Sequence, residues 1–260
     1  MSGSTSAGSS AAQGAAWRTG LGVLTETAGT DRAGSIHTVA AAVLLDADGK
    51  LAGVTLDELE LSVSADGTGK VTTPTDTRTK RQKGKDYPLA EVSGLKKGWA
   101  EQADAFSSWL EGKTPDEVKK LKTDADGKPT DADLLSGCTI AVDRYRDAVV
   151  RACENARVTS AIGDMTEPEL AVSADGTVSA PREPVYTKNE LGDRYGMRSA
   201  SALGKEWYEH SAGWCGYLKG KNAVEIGKLS TDGTDADLKA LCTISVTDLQ
   251  KAVLKAMAEQ

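Results

Sequence analysis

The sequence predicts an α+β protein made of two related modules, each an antiparallel sheet packed with helices, with the second module trimmed. Three observations carry this expectation. Ordered blocks of sequence return at an offset of about 108 residues. An apolar run, an Asp-Gly-Lys turn and a second apolar run open the first copy. Apolar residues at helical spacing, stopped by glycine, follow in both copies. Helices laid on a mostly antiparallel sheet are the architecture this order favours.

The repeat comes first, because missing it misassigns the whole fold. Residues 63–68 read VSADGT, and so do residues 172–177. Thr79 and Lys80 match Thr187 and Lys188, Trp99 matches Trp207, and Trp109 matches Tyr217. Gly112 and Lys113 match Gly220 and Lys221. The TDADL of residues 130–134 returns at 234–238, and Cys138-Thr139-Ile140 returns as Cys242-Thr243-Ile244. The expected division is a Ser/Gly/Ala linker over 1–16, a first module over 17–157 and a second over 158–260.

Within the first copy, residues 38–45 are apolar and strand-like, Asp46 to Lys50 form the turn, and residues 51–56 pair back as a hairpin. The second copy keeps residues 169–173 and lacks most of that hairpin. Leu95, Trp99, Ala103, Phe106 and Leu110 then mark an amphipathic helix, as do Leu203, Trp207, Ser211, Trp214 and Leu218. Gly112 and Gly220 stop these helices. Thr114-Pro115-Asp116-Glu117 starts a short helix with a cap residue, a proline and early acids. The Cys-Thr-Ile segments read as short strands. Final helices are expected over 143–155 and 247–258, the latter opened by a Thr247/Gln250 capping box.

Composition excludes several function classes. Net charge is −7, with 31 Lys plus Arg against 38 Asp plus Glu, and the pI is about 5.1. A nucleic-acid binder shows a basic stripe instead. The cationic run from Arg78 to Lys85 reads as a solvated strand end or loop. No apolar run approaches the roughly 20 residues that span a bilayer. Residues 1–16 lack the apolar core of a signal peptide. Such a linker follows the processed start of exported or lipid-anchored proteins and also joins expression fusions, and both readings stay open.

Four cysteines, Cys138, Cys153, Cys215 and Cys242, and two histidines, His37 and His210, lack the spacing of a zinc site. The cysteines read as small buried apolar side chains. The tryptophans, with Tyr145, Tyr208 and Tyr217, read as core, with ring stacking on a ligand as the alternative. The acidic turn over 123–133 has its glycine out of register for an EF-hand and reads as a solvated turn. No nucleophile elbow, phosphate loop or dinucleotide fingerprint occurs, and neither histidine adjoins a nucleophile or paired acid. No residue is therefore assigned a catalytic role by its side chain.

The remaining motif is Asp133-Leu134-Leu135-Ser136-Gly137-Cys138-Thr139. Glycine between small residues permits positive φ and close backbone approach. It also places Thr139 near a helix start, where backbone N–H groups favour phosphate. The motif resembles the Asp-x-x-Ser/Thr-Gly-Ala-Thr signature of the FMN-binding domain of bacterial extracellular flavoproteins. That resemblance implies covalent FMN at Thr139, with Asp133, Ser136, Gly137 and Cys138 around it. It also implies a flavin transferase and a redox partner, and electron transfer rather than hydrolase or transferase chemistry. Residues 188–197 and 204–208 resemble tandem-repeat lipoproteins of Gram-positive gut bacteria, which implies an extracellular, membrane-tethered location. The chain departs from the flavin pattern at Cys138, where the family has alanine, and at Leu241, which replaces the glycine before Thr243. A non-catalytic extracellular binding or scaffold protein is the alternative expectation.

Overall fold

The computed structural model describes residues 16–157, 171–179 and 185–258. Most of the expected linker, the segment 158–170 that joins the copies, and Glu169 and Leu170 of the second copy lie outside the described residues. The chain is α+β, as expected. Three long strands, β1 (Arg18–Thr30), β2 (Ala33–Leu45) and β3 (Leu51–Ala65), and a short β4 (Val71–Thr72) form an antiparallel sheet in the order β1-β2-β3-β4.

The β2–β3 turn forms where the Asp-Gly-Lys signal placed it. The Asp46 carboxylate accepts the N–H groups of Asp48 and Lys50, each at 2.9 Å, and Gly49 takes φ +80°. Alternation along β2 turns Val39, Ala41, Val43 and Leu45 inward, where each is buried.

Helices follow the strands: α1 (Lys80–Lys83), α2 (Leu89–Val92), α3 (Trp99–Leu110), α4 (Pro115–Lys119), α5 (Ala132–Leu135) and α6 (Asp143–Glu154). The helix α3 buries Trp99, Ala103, Phe106 and Leu110, and α6 buries Tyr145, Ala148, Val149 and Ala152. Each large apolar side chain removed from water contributes about 1.5–3 kcal/mol. The strand β1 lies so close to α6 that a Cβ on Gly20 or Gly22 would overlap the carbonyl oxygens of Ala152 or Ala148.

In the second copy β5 (Ala171–Val172) and β6 (Val178–Ser179) form a two-stranded ribbon. Then come α7 (Lys188–Leu191), α8 (Trp207–Leu218), α9 (Ala223–Gly227), α10 (Ala236–Leu241) and α11 (Thr247–Ala258). These helices repeat the series from α1 onward without α2, and surround their own core of Trp207, Trp214, Leu238, Cys242, Val246 and Leu249. The copies meet where Arg151 on α6 forks onto the Glu190 carboxylate of α7, with Arg151 Nη2 at 2.8 Å.

Three expectations are corrected. Residues 138–142 and 242–246 are irregular, not strands. Their N–H groups go elsewhere: Thr139 N–H to the Gln102 side chain and Val142 N–H to the Gly127 carbonyl, at 2.8 and 2.7 Å. Thr247 already lies inside α11 and is not its cap residue, and the Gln250 amide nitrogen instead donates to the carbonyls of Ile226 and Leu229. The cationic run is α1 and the turn after it, with Arg78 paired to Asp76 and Asp86 and Arg81 to Asp104.

Candidate functional site

The Asp133–Thr139 motif spans the end of α5 and the chain beyond it. Asp131 caps α5 by accepting the Leu134 N–H at 3.0 Å. Asp133 and Ser136 are exposed, and the Ser136 hydroxyl donates to the Asp133 carbonyl at 2.7 Å. Cys138 is fully buried among the core residues, and burial pushes its thiol up to about 11. It is therefore a packed, unreactive thiol. All four cysteines are free and buried.

Gly137 is not among the residues with positive φ, which corrects the expected conformational role. Its reason is space. A Cβ added there would stand 2.9 Å from the Cβ of Ala105 on α3. Nor is the start of α6 an open anion site, because Asp143 already occupies its first turn.

Thr139 is half-buried and tied to α3. Gln102 is fully buried. Its Oε1 accepts the Thr139 N–H at 2.8 Å and the Thr139 hydroxyl at 3.1 Å. Its Nε2 donates to Ser93 Oγ and to the Lys97 carbonyl, both at 3.0 Å. Two lone pairs and two N–H groups are all used, as a buried amide requires. The orientation of the amide is unambiguous, since a backbone N–H must meet oxygen and a backbone carbonyl must meet nitrogen.

The second copy rebuilds the same bridge with histidine. His210 is fully buried and stands where Gln102 does on its helix. Its Nδ1 accepts the Thr243 N–H at 3.2 Å, and its Nε2 lies 2.8 Å from Ser201 Oγ. A backbone N–H can only donate, so Nδ1 is bare and Nε2 carries the proton. His210 therefore donates to Ser201 and has no lone pair with which to activate it, which excludes a serine–histidine nucleophile.

Thr139 borders a groove of about 880 Å³. Leu89, Val92, Leu95, Leu135 and Ile140 supply apolar wall, and Lys128 and Asp124 supply charge. Val92 is 79% exposed, so the apolar wall is open to water. Leu89, Ile140 and Ala141 also line an adjoining pocket of about 200 Å³.

That second pocket holds charges that sequence reasoning missed. His37 Nε2 contacts Oε1 of Glu58 and lies 2.9 Å from Oε1 of Glu60. Lys80 Nζ lies 2.9 Å from Glu58 Oε2 and 2.7 Å from Glu60 Oε1. The Tyr145 hydroxyl donates to Glu58 and accepts from Trp99 Nε1 at 3.0 Å. Arg144 donates to His37 Nδ1. Burial works against the Lys80 charge, but Glu60 and Glu58 outweigh it and raise its pKa. Burial, then the adjacent Glu58 carboxylate, raises the Tyr145 pKa.

His37 is thus beside two acids, contrary to the sequence reading. The available signal was the hairpin register: counting back from the Asp46 turn sets His37 directly opposite Glu60.

His37, Glu58 and Glu60 bring three ligand atoms within 4.8 Å of one another. They do not suit a metal ion as arranged. Arg144, a pure donor, faces Nδ1, so the proton is on Nε2, the atom a metal would need. Lys80 already sits between the carboxylates as their cation.

The fold and the site define an α+β protein with a duplicated helical unit and a threonine-lined groove. No family model matches the chain, and no solved structure matches it. A chlorophenol reductase from Desulfitobacterium hafniense is 34% identical over 76 residues, which are 28% of this chain. The match spans only 23% of that reductase's length. Among the described residues no helix is long and apolar enough to cross a membrane.

Proposed function

We propose that the groove beside Thr139 takes a flavin mononucleotide, joined through its phosphate to the Thr139 hydroxyl, and that the chain is an electron carrier. The observation that carries this reading is the hydroxyl itself, held at the edge of a groove of about 880 Å³. Ligand sites commonly enclose about 300–1,000 Å³. The residues fit the group. Leu89, Val92 and Leu135 offer apolar surface to a ring system, and Lys128 offers positive charge to a phosphate. The Asp133, Ser136, Gly137, Cys138, Thr139 spacing gives a flavin transferase its recognition motif.

A bound flavin would supply one- and two-electron transfer. The chain's own residues would bind and orient it and shield its edge from water. The partial likeness to a reductase accords with redox work. The same reading puts the protein outside the cell, tethered at the surface, with a flavin transferase and a redox protein as partners.

The second reading is a non-catalytic extracellular scaffold or binding protein. One observation favours it. Thr243 is tied to His210 much as Thr139 is tied to Gln102, although Leu241 stands where the glycine would be. The bridge can therefore serve structure alone.

The test is to co-express the chain with a flavin transferase and record its visible spectrum after denaturing purification. A retained flavin band supports the carrier. A colourless protein leaves the scaffold reading.

A further inference from the structure

We propose that Gln102 is the positioning residue that makes Thr139, and not Thr243, the attachment point. The inference rests on the flavin reading and adds a residue outside the motif. Attachment joins Thr139 Oγ1 to the phosphorus of a flavin pyrophosphate donor. The pyrophosphate P–O bond breaks, the departing nucleotide keeps the electron pair, and the hydroxyl proton leaves Gln102 for a base of the transferase as the O–P bond forms.

For that reaction the hydroxyl must point its lone pairs outward. Gln102 Oε1 has two lone pairs, and it spends one on the Thr139 N–H and one on the Thr139 O–H. Two bonds to one buried oxygen fix the threonine rotamer and draw its proton inward. The oxygen lone pairs are left facing the groove. Gln102 cannot drift, because Ser93 and the Lys97 carbonyl hold its other end.

His210 cannot do the same. Its Nδ1 has a single lone pair, which the Thr243 N–H takes. The Thr243 hydroxyl has no second lone pair there to accept it. The two copies thus share an anchor for the backbone and differ in the anchor for the hydroxyl.

The experiment uses the full chain with glutamine, histidine or glutamate at 102. Transferase turnover, kcat and KM separately, is read by intact mass. The Thr139 side-chain coupling constants are read by NMR without flavin, and melting checks folding. Gln102→His is expected to stay folded, to average the Thr139 rotamer, and to lower kcat about five- to tenfold at unchanged KM, the effect of one lost hydrogen bond. Gln102→Glu keeps both acceptor pairs but loses the N–H that meets the Lys97 carbonyl, so it is expected to recover the single rotamer and the rate only in part. Should Gln102→His not fold, Ser93→Ala, which frees one end of the amide, is expected to give the same effects in weaker form.

If the wild type is modified and folded Gln102→His, or Ser93→Ala in its place, is modified equally fast, the positioning role is overturned and the flavin reading stands. If the wild type takes no flavin at all, the functional reading falls and the attachment role with it. A rotamer equally fixed in wild type and Gln102→His also overturns the positioning role.

Discussion

Gly137 and Ala105 touch across the first copy, and the second copy inverts the pair. There Leu241 replaces the glycine, and Gly213 replaces the alanine. A Cβ on Gly213 would stand 2.6 Å from the Leu241 carbonyl oxygen. In each copy one of the two facing residues is glycine, but the missing side chain moves from the loop to the helix. Leu241 is therefore a compensated substitution.

A double-mutant cycle follows from this. Gly137→Ala should destabilise the protein by about 1–3 kcal/mol, the usual cost of overpacking. In the Ala105→Gly background the same change should cost distinctly less. Urea unfolding of the four proteins measures the coupling, and additive effects would contradict the contact.

Acid should weaken the second copy through His210. Burial, then the positive charge of Lys205, lowers its pKa against the opposing Glu209. The folded state thus prefers neutral imidazole, while the unfolded chain takes a proton near pH 6.5. Stability from this group is complete above that pH and is lost as pH falls through it toward the lower folded value. His210→Gln should keep the Thr243 anchor and flatten the urea midpoint between neutral and mildly acidic pH. An unchanged slope would show that other groups set it.

Lys80 holds two acids together in the pocket. Lys80→Met should cost on the order of 3 kcal/mol, because it leaves Glu58 buried without its cation. Adding Glu58→Gln should recover part of that loss. If the double variant is the less stable of the two, burial of the unpaired carboxylate is not the cause.

The fold was legible where local chemistry and tertiary packing agree. The hairpin turn, the α3 and α6 stripes and the Thr114 cap follow from alternation, spacing and cap residues. The strand β1 was not legible. Gly20, Gly22 and Gly29 weaken its strand signal, and the first two are there to let α6 come close. The Cys138–Val142 run looks like a strand because it is apolar, but its N–H partners lie in α5, in α3 and in a distant turn. Of the site, Thr139 was visible through its motif. Gln102 was not, since one polar residue on a buried helix face has meaning only once its partner is known. The pocket acids were hidden because Glu58 and Glu60 meet Lys80 across different elements.

The most direct test of the flavin reading compares three chains after co-expression with a flavin transferase: wild type, Thr139→Ala and Thr243→Ala. Intact mass should show one added FMN on the wild type and on Thr243→Ala, and none on Thr139→Ala. Unmodified wild type, or flavin retained by Thr139→Ala, would contradict it.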